Sequence, residues 1–233
     1  MDLYYHSDLT GDKTFLEEEE SRHLIKVLRK NEGDTLQLTD GNGNMCLATI
    51  LQANPKRCHV ALSQHSKQPP LPPMALAIAP TKNMDRIEWL TEKAVEIGIR
   101  ELFFFQSEHS ERRILKMERL ERKALSAMKQ SLTAYLPKME GLLDFDELLD
   151  LTSKAYVGKY IAWIDDEVHD HLFDIAEFEH PCIVLIGPEG DFSKDEVDRA
   201  RSAGFIPVSL GTSRLRTETA GLAAIHTLAL LNR

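Results

Sequence analysis

The chain is poor in cysteine and in long apolar runs, and both shortages restrict the class of protein it encodes. Its 233 residues include only three cysteines, Cys46, Cys58 and Cys182, with no C-x-x-C pair. This spacing argues against a zinc site and a disulfide framework, and it suits a reducing cytoplasm. No apolar run approaches the roughly 20 residues that cross a bilayer, and the first residues do not resemble a signal peptide. We therefore expect a cytoplasmic protein with no membrane partner.

Positive charge is also in short supply, because the net charge is −9. Taken alone, this balance disfavours a nucleic-acid partner, since phosphate binding depends on Lys and Arg. The average hides two basic clusters: residues 111–131 carry seven Lys or Arg against three Glu, and "SRHLIKVLRK" (21–30) contains no acid. Each cluster alone is typical of a solvated surface, but the two together keep an RNA partner open.

The proline-rich stretch "QHSKQPPLPPM" (64–74) indicates a linker between two domains. Before it, short strand-like runs at 34–40, 45–52 and 57–63 predict a small β-rich domain, and the glycines of "GNGN" (41–44) predict a hairpin turn between the first two. We therefore divide the chain into domains at 1–70 and 71–233.

After the linker, apolar strands alternate with amphipathic helices. Strands are predicted at 74–80, 99–106, 159–165, 182–187 and 205–211, and helices after Asp85, over 111–131, from Ser193 and over 219–231. Both tryptophans, Trp89 and Trp163, are predicted to lie in the core. This alternation predicts an α/β fold with a mostly parallel sheet covered on both faces. The last helix is apolar on nearly all its faces, so we expect it in a core or a subunit interface.

Neither common phosphate-binding fingerprint, G-x-G-x-x-G or G-x-x-x-x-G-K-[ST], is present. Three polar loops nevertheless follow predicted strands, at 79–82, 187–190 and 210–216, where parallel sheets place ligands. Glu189 and Asp191 would repel phosphate, so a neutral or cationic ligand is expected. "HDH" (169–171) has no third partner in the sequence to complete a metal site, so no metal is predicted.

The motifs "LIGPEGDFSKDE" and "LGTSRLRTETA", about twenty residues apart, resemble the SPOUT class of S-adenosylmethionine-dependent RNA methyltransferases. More narrowly, the chain resembles the RsmE family, which methylates uridine N3 in 16S ribosomal RNA. "RIEWLTEKAVEIGI" (86–99), "SEHSERR" (107–113) and "HLIKVLRKNEGD" (23–34) follow in the order of that family. The likeness extends over nearly the whole chain.

The resemblance implies a PUA-like β-barrel RNA-binding domain, then a SPOUT-type parallel sheet with a deep trefoil knot that works as a homodimer. Without it, the sequence patterns would not predict a knot, which is rare among folds. It also implies that S-adenosylmethionine binds in the knot, largely through backbone groups. The residues expected around the cofactor are Thr81, Ile186, Gly187, Pro188, Glu189, Gly190, Leu210, Gly211, Leu215, Thr217, Thr219 and Ala220.

For catalysis we select Arg216, whose guanidinium is suited to stabilise a uracil N3 anion. The alternative is an arginine that ties loops together through Glu218 or Glu189. Glu218 and Asp191 are candidate bases, and water is a third. RNA contacts are expected from the basic residues of both domains and one histidine, namely Arg22, His23, Lys26, Arg29, Lys82, Arg86, Arg112 and Arg113.

The chain departs from the family pattern at two points. Asp191 stands where the family usually has a second glycine, and "QSLTAYLP" (130–137) lacks an arginine expected near Thr133. Two other functions stay open on the sequence: another SPOUT methyltransferase acting on a transfer RNA base or a ribose 2′-hydroxyl, and a ribosome-assembly RNA-binding module without catalysis.

Overall fold

A computed structural model describes residues 2–165, 168–177 and 180–232. The chain divides into two compact units, Met1–Pro70 with Met128–Leu136, and Leu71–Ala127 with Pro137–Arg233. The sequence patterns do not indicate that a segment after the linker belongs to the first unit.

The first unit is built on a five-stranded sheet with the order β1-β3-β4-β5-β2. Its strands are β1 (Leu3–Tyr5), β2 (Lys13–Phe15), β3 (Thr35–Thr39), β4 (Asn44–Gln52) and β5 (His59–Lys67). Only β1 and β3 pair in parallel, and the hairpin between β3 and β4 was predicted. Helix α1 (Glu18–Arg22) continues directly into a π-helical turn (His23–Val27).

The segment of 128–136, which lacks the arginine expected near Thr133, belongs to the first unit. Gly43 donates its N–H to the Ala134 carbonyl at 2.9 Å, and the Tyr135 hydroxyl donates to the Gln68 carbonyl at 2.8 Å. A Cβ on Gly43 would meet the Tyr135 ring. This segment therefore packs along the β3–β4 hairpin turn.

The second unit contains the parallel sheet that the alternation predicted. All six strands are parallel, in the order β11-β9-β10-β6-β7-β8. They are β6 (Met74–Ile78), β7 (Glu101–Gln106), β8 (Lys138–Asp144), β9 (Gly158–Ala162), β10 (Cys182–Ile186) and β11 (Ile206–Val208). The helices are α2 (Met84–Ile97), α3 (Met117–Gln130), α4 (Phe145–Thr152), α5 (Leu172–Ile175), α6 (Lys194–Ser202) and α7 (Thr217–Leu231).

Both faces of this sheet are covered by helices, which makes the unit a three-layer α/β structure. Alternate residues of β6 separate the two cores: Met74, Leu76 and Ile78 pack with α2 and α7, whereas the alanines between them face the layer of α4 and α6. Strands buried on both faces must be apolar throughout, as β6 and β10 are.

Several helix ends differ from the sequence prediction. Asn83, not Asp85, caps α2, since its side chain accepts the Asp85 N–H at 3.0 Å. Helix α3 begins at Met117 rather than near residue 111. The capping box of Ser193 and Glu196 is confirmed, and α7 begins two residues earlier than predicted.

The prediction that Trp89 is a core residue is wrong, because 41% of its surface is exposed. It lies on α2, which packs against α7. One stripe of α7 is buried (Gly221, Ala224, Ile225 and Leu228), while Leu230 is 37% exposed. Among the described residues, no helix is long and apolar enough to cross a membrane.

Candidate functional site

The turn after β10 is folded around Phe192. The Asp191 N–H donates to the Pro188 carbonyl at 3.0 Å, and Phe192 is 4% exposed between Phe105 and Phe145. A Cβ on Gly187 would lie 3.1 Å from the Phe192 ring. Glycine at 187 therefore lets the backbone of the turn pack directly against the Phe192 ring. Glu189 and Gly190 stay exposed.

Asp191 has a left-handed backbone, with φ of 62°, which explains why glycine is usual there. Aspartate is one of the few other residues that tolerate this conformation. Its carboxylate accepts the N–H of Phe192 at 2.8 Å and of Ile164 at 3.1 Å. The side chain thus ties the turn after β10 to the segment after β9.

The loop after β6 contacts the turn after β10, as expected for neighbouring parallel strands. The Lys82 N–H donates to Glu189 Oε1 at 3.2 Å, and the Ala79 N–H donates to the Ile186 carbonyl at 2.9 Å. Ile186 is 2% exposed, so its carbonyl and its side chain are both already engaged.

The loop after β11 does not follow a neighbouring strand, because β9 lies between β11 and β10. The loop begins with a local turn in which the Gly211 N–H donates to Ser209 Oγ at 3.1 Å. Gly211 has a φ of 117°, and a Cβ added there would meet no atom within 4 Å; Leu210 packs against the α2/α7 core. The loop after β11 can therefore lie near the loops after β6 and β10 only if the chain after it runs back toward the centre of the sheet.

That return is made at the start of α7. Arg216 is the N-cap of the helix and is exposed. Glu218 in the first turn is 8% exposed, and its Oε1 lies 3.6 Å from Arg86 Nε on α2. Its Oε2 is buried, with no hydrogen-bond partner in the described part of the chain. The first turn of α7 thus lies beside the first turn of α2.

These contacts bear on the alternative role of Arg216 as a tie between loops. Glu218 pairs with Arg86, and Glu189 accepts from the Lys82 backbone. Within the described ranges, the Arg216 side chain forms no ion pair or hydrogen bond. Its guanidinium is therefore available to a ligand.

The remaining residues expected around the cofactor lie at the loop after β6 and the start of α7. Thr81 is fully buried and donates from Oγ1 to the Asn83 carbonyl at 2.9 Å. Thr217 is 5% exposed, Leu215 and Ala220 are half-buried, and Thr219 is exposed. Side-chain contact with a ligand is thus open to Thr219, whereas Thr81 and Thr217 are committed to packing.

His171 of the "HDH" stretch has a structural role. It is the N-cap of α5, and its Nδ1 accepts the Phe173 N–H at 3.1 Å. Among the described residues, no three His, Cys, Asp or Glu side chains are grouped to hold a metal.

The basic residues selected in the second unit differ in their surroundings. Arg112 donates from Nε to the Thr81 carbonyl at 2.9 Å and from Nη2 to the Lys82 carbonyl. Lys82 Nζ lies 2.9 Å from Glu111 Oε2, and Arg86 pairs with Glu218. Arg113 is exposed. Of these four residues, Arg113 retains the most freedom to contact phosphate.

The basic residues of the first unit lie on α1, on the π-helical turn and, in the case of Arg29, two residues after that turn. Arg22, His23, Lys26 and Arg29 are all exposed, while Leu24 between them is fully buried. Arg22 pairs with Glu18, and Arg29 has a φ of 56°. Val27, 63% exposed, adds an apolar side chain to the same surface.

Sequence reasoning missed three contacts that shape the site. His109 Nδ1 bonds the Asp191 carbonyl at 3.0 Å. Phe192 anchors the turn, and Glu196 accepts hydrogen bonds from residues 89 and 88 positions away. The S-x-x-E pattern reveals only the capping role of Glu196, because its other partners are distant in sequence.

Burial raises the pKa of Asp191 above its ordinary value of 3.8, against the lowering effect of the Phe192 and Ile164 N–H groups and of Arg214 and His109. An acid whose pKa is higher in the folded state binds more protons there, so the free energy of unfolding falls as pH rises through that window. We expect wild type to lose stability relative to Asp191→Gly as pH rises above 3.8, in urea unfolding at a series of pH values.

Asp191→Ala is the matched control for this experiment. It also lacks the carboxyl group, so its pH dependence should equal that of Asp191→Gly. Its Cβ in the left-handed region should make it less stable than the glycine variant by about 1 kcal/mol at every pH. Parallel pH profiles for wild type and both variants would contradict the assignment of this titration to Asp191.

Known RNA methyltransferases match both units of the chain. Family models of an RNA methyltransferase domain and an RNA methyltransferase PUA domain match residues 67–229 and 16–63. The crystal structure of a probable rRNA-methyltransferase from Porphyromonas gingivalis is 44% identical, covers 100% of this chain and 98% of that chain, and has a TM-score of 0.91.

Two further relatives carry a specific name. Ribosomal RNA small subunit methyltransferase E from Neisseria gonorrhoeae, solved bound to S-adenosyl methionine, is 25% identical over 99% of this chain and 98% of that chain, with a TM-score of 0.87. The enzyme of the same name from Mycobacterium bovis is 26% identical over 98% of this chain and 91% of its own length. The chain therefore belongs to the RNA methyltransferase family, in the group of the ribosomal RNA small subunit methyltransferases E.

Proposed function

We propose that this protein transfers a methyl group from S-adenosylmethionine to N3 of a uridine in 16S ribosomal RNA. The observation that carries the proposal is a pair of contacts beside an arginine with no protein partner among the described residues. The β6 loop contacts the glycine turn after β10, and the start of α7 contacts the start of α2, the helix that follows the β6 loop. The family supports the reaction class, and the relatives named above support the small-subunit substrate.

The candidate site suits a cationic ligand better than a phosphate. Glu189 and Asp191 place carboxylates in the turn after β10, and Gly211, where an added Cβ would meet no atom within 4 Å, leaves its backbone open to close approach. S-adenosylmethionine, when bound, supplies a methyl group on a positively charged sulfur. We assign the backbone of 187–190, 210–211 and 215–220 to holding it, with the Thr219 hydroxyl available as a side-chain contact.

Uridine N3 carries a proton that must leave as the new N–CH₃ bond forms and the S–CH₃ bond breaks. We assign Arg216 to the uracil ring, where a guanidinium hydrogen bond to a carbonyl oxygen stabilises negative charge on N3. Glu218 is the proton acceptor we favour, because its buried Oε2 has no donor in the described chain and Arg86 lies beside its other oxygen. The rest of the task is alignment of nitrogen, methyl carbon and sulfur.

We assign the two domains of 1–70 and 71–233 to RNA binding and to methyl transfer. The match of a PUA domain model to residues 16–63 supports a PUA-like barrel in the first. The compact first unit also contains residues 128–136, which refines the proposed boundary.

A deep trefoil knot in the second domain would account for the path of the chain from β11 to α7. Residues 209–216 leave an edge strand, and α7 then packs on β6 and β10. Three strand spacings of about 4.8 Å separate β11 from β6, so eight residues suffice to pass the ends of β9 and β10. Passage through the loops after those strands produces a SPOUT-type knot.

A homodimer would cover the exposed outer face of α7. Leu230 and Trp89 are 37% and 41% exposed, and Leu222 and Ala223 are half-exposed on the same helix. A second copy of the chain packed on α7 removes this apolar surface from water. Because the substrate is ribosomal RNA, we place the protein in the cytoplasm.

The basic surface of residues 22–29 should make RNA binding depend on salt. Each phosphate contact on single-stranded RNA makes the negative slope of log K against log[salt] steeper by about 0.7. We expect the double variant Lys26→Ala, Arg29→Ala to reduce the steepness of that slope by about 1.4, measured by fluorescence anisotropy with a small-subunit RNA fragment.

The matched control is Arg119→Ala, Lys123→Ala, which removes the same charge from α3. Both residues are paired with acidic side chains of α2, Glu88 and Glu92, so the wild-type slope should persist. An unchanged slope in the Lys26/Arg29 variant would remove this surface from the RNA interface.

The function itself is tested by mass spectrometry of ribosomal RNA from a strain that lacks the protein. We expect one N3-methyluridine to disappear from 16S RNA and to return when the wild-type gene is restored. Loss of a transfer RNA base modification or of a 2′-O-methyl group would identify another substrate. Calorimetry that detects no S-adenosylmethionine binding would instead indicate a binding module without catalysis.

A further inference from the structure

The loop at residues 107–113, between β7 and α3, contacts both turns of the candidate cofactor site; we call it the bracing loop. His109 Nδ1 lies 3.0 Å from the Asp191 carbonyl, and since a carbonyl only accepts, Nδ1 carries the proton. A Cβ on Gly190 would lie 3.0 Å from His109 Cβ. The loop therefore packs directly on the turn after β10.

The other end of the bracing loop holds the loop after β6. Arg112 donates from Nε to the Thr81 carbonyl at 2.9 Å and from Nη2 to the Lys82 carbonyl. Glu111 Oε2 lies 2.9 Å from Lys82 Nζ. A guanidinium that binds two consecutive carbonyls fixes the position of that backbone, because its donors form a rigid planar fork.

The bracing loop is itself anchored by a buried carboxylate. Glu196, in the first turn of α6, is 1% exposed. Its Oε1 accepts the Glu108 N–H at 2.9 Å, and its Oε2 accepts the Ser107 hydroxyl at 3.0 Å and the Ser193 N–H at 2.9 Å. A capping box requires only a bond back to the N-cap residue, so the two bonds to the loop go beyond helix capping.

A carboxylate this deeply buried is stable only when its oxygens are satisfied. Within the described residues Glu196 has no ion pair within 4 Å, and its charge is met by three donors and by the N-terminus of α6. The buried Glu196 carboxylate thus links α6 to the bracing loop. A purely apolar contact would anchor the loop with less directional precision.

We propose that Glu196 is a positioning residue for S-adenosylmethionine: it fixes the bracing loop, which holds the turns after β6 and β10 at the spacing the cofactor requires. The inference rests on the proposed function. It also reassigns Arg112 from a phosphate contact to a brace between loops.

The decisive variant is Glu196→Gln, which preserves size while replacing one acceptor oxygen by an amide N–H₂. Both carboxylate oxygens accept from backbone N–H groups, so either orientation of the amide turns one N–H toward another. We expect the Kd for S-adenosylmethionine, measured by calorimetry without RNA, to rise about tenfold. The kcat at saturating cofactor should stay within about twofold of wild type, since the reacting groups are untouched.

Glu108→Gln is the matched control, because it makes the same chemical change on the same loop. The Glu108 side chain is exposed and only its N–H enters the network, so Kd and kcat should both equal wild type. A Kd for Glu196→Gln within twofold of this control would overturn the proposal.

Arg112→Lys tests the other end of the loop and serves if Glu196→Gln fails to fold. Lysine keeps the charge but cannot bond two carbonyls in one plane. We expect weaker cofactor binding with unchanged RNA affinity; the reverse result would restore Arg112 to the RNA interface and overturn its role as a brace. Wild-type protein that binds no S-adenosylmethionine would instead refute the proposed function and leave the loop contacts as a purely structural device.

Discussion

Replacement of Arg216 by alanine should lower the rate of methyl transfer by about 10²- to 10³-fold while the affinity for S-adenosylmethionine stays close to wild type. Arg216 is the exposed N-cap of α7, and no acidic side chain among the described residues pairs with it. Its loss therefore removes charge stabilisation in the transition state without breaking an internal contact. Single-turnover methylation of small-subunit RNA, with cofactor binding measured in parallel, separates the two effects.

Two variants control this experiment. Arg214→Ala removes the same charge two residues away, where it lies close enough to influence Asp191 electrostatically, and it should change the rate only a few-fold. Arg216→Lys keeps the charge but loses the planar donor pair, so it should recover part of the activity. Near-full turnover by Arg216→Ala would assign the anion-stabilising role to another group.

Gly221→Val should destabilise the second unit by ~3 kcal/mol through overpacking. A Cβ at Gly221 would lie 3.1 Å from Leu90 Cδ2, 3.3 Å from Ile78 Cδ1 and 3.4 Å from Leu76 Cδ2. Glycine in a helix interior normally costs stability relative to alanine, and here it permits close packing of α7 on α2 and β6. The free energy of unfolding in urea measures the effect.

The control is Ala223→Val, two residues further along α7 at a half-exposed position, which should cost below about 1 kcal/mol. Leu90→Ala supplies a second check, because it removes the side chain nearest the new methyl groups. The double variant should then be more stable than the sum of the single effects predicts, by about 1 kcal/mol or more. Strict additivity would mean that the valine is accommodated elsewhere.

The long apolar strands and the helices with clear caps could be predicted from the sequence. Strands β6 and β10 are apolar throughout, and α6 has a complete capping box, so each carries its own local evidence. Strand β8 and helix α4 were missed, since β8 is a sheet edge containing Gly141 and α4 has only eight residues. Helix α3 was predicted too long because Arg112, Arg113 and Lys116 continue its basic composition, whereas Arg112 is bound to carbonyls of a distant loop.

Some features of the candidate site could likewise be predicted from the sequence, and others could not. The motifs around Gly187 and Arg216 could be selected because their residues are close together in the sequence and match a family pattern. The pairing of Arg86 with Glu218 and the role of Arg112 as a donor to Thr81 could not, since these partners are 132 and 31 positions apart. A charged side chain looks the same in a sequence whether it faces phosphate or a backbone carbonyl.

The sequence by itself determined the parallel α/β unit after a β-rich one, the family, and the choice of the two loops to which we assign the cofactor and the uracil. These are properties of residues near one another in the chain, and local propensity and periodicity express them. Only the tertiary structure decided that Glu196 anchors the bracing loop, that Asp191 takes the left-handed place of a glycine, and that Trp89 stays exposed. Those outcomes depend on which segments meet in space, where burial and hydrogen-bond satisfaction, rather than residue type, select the role of each side chain.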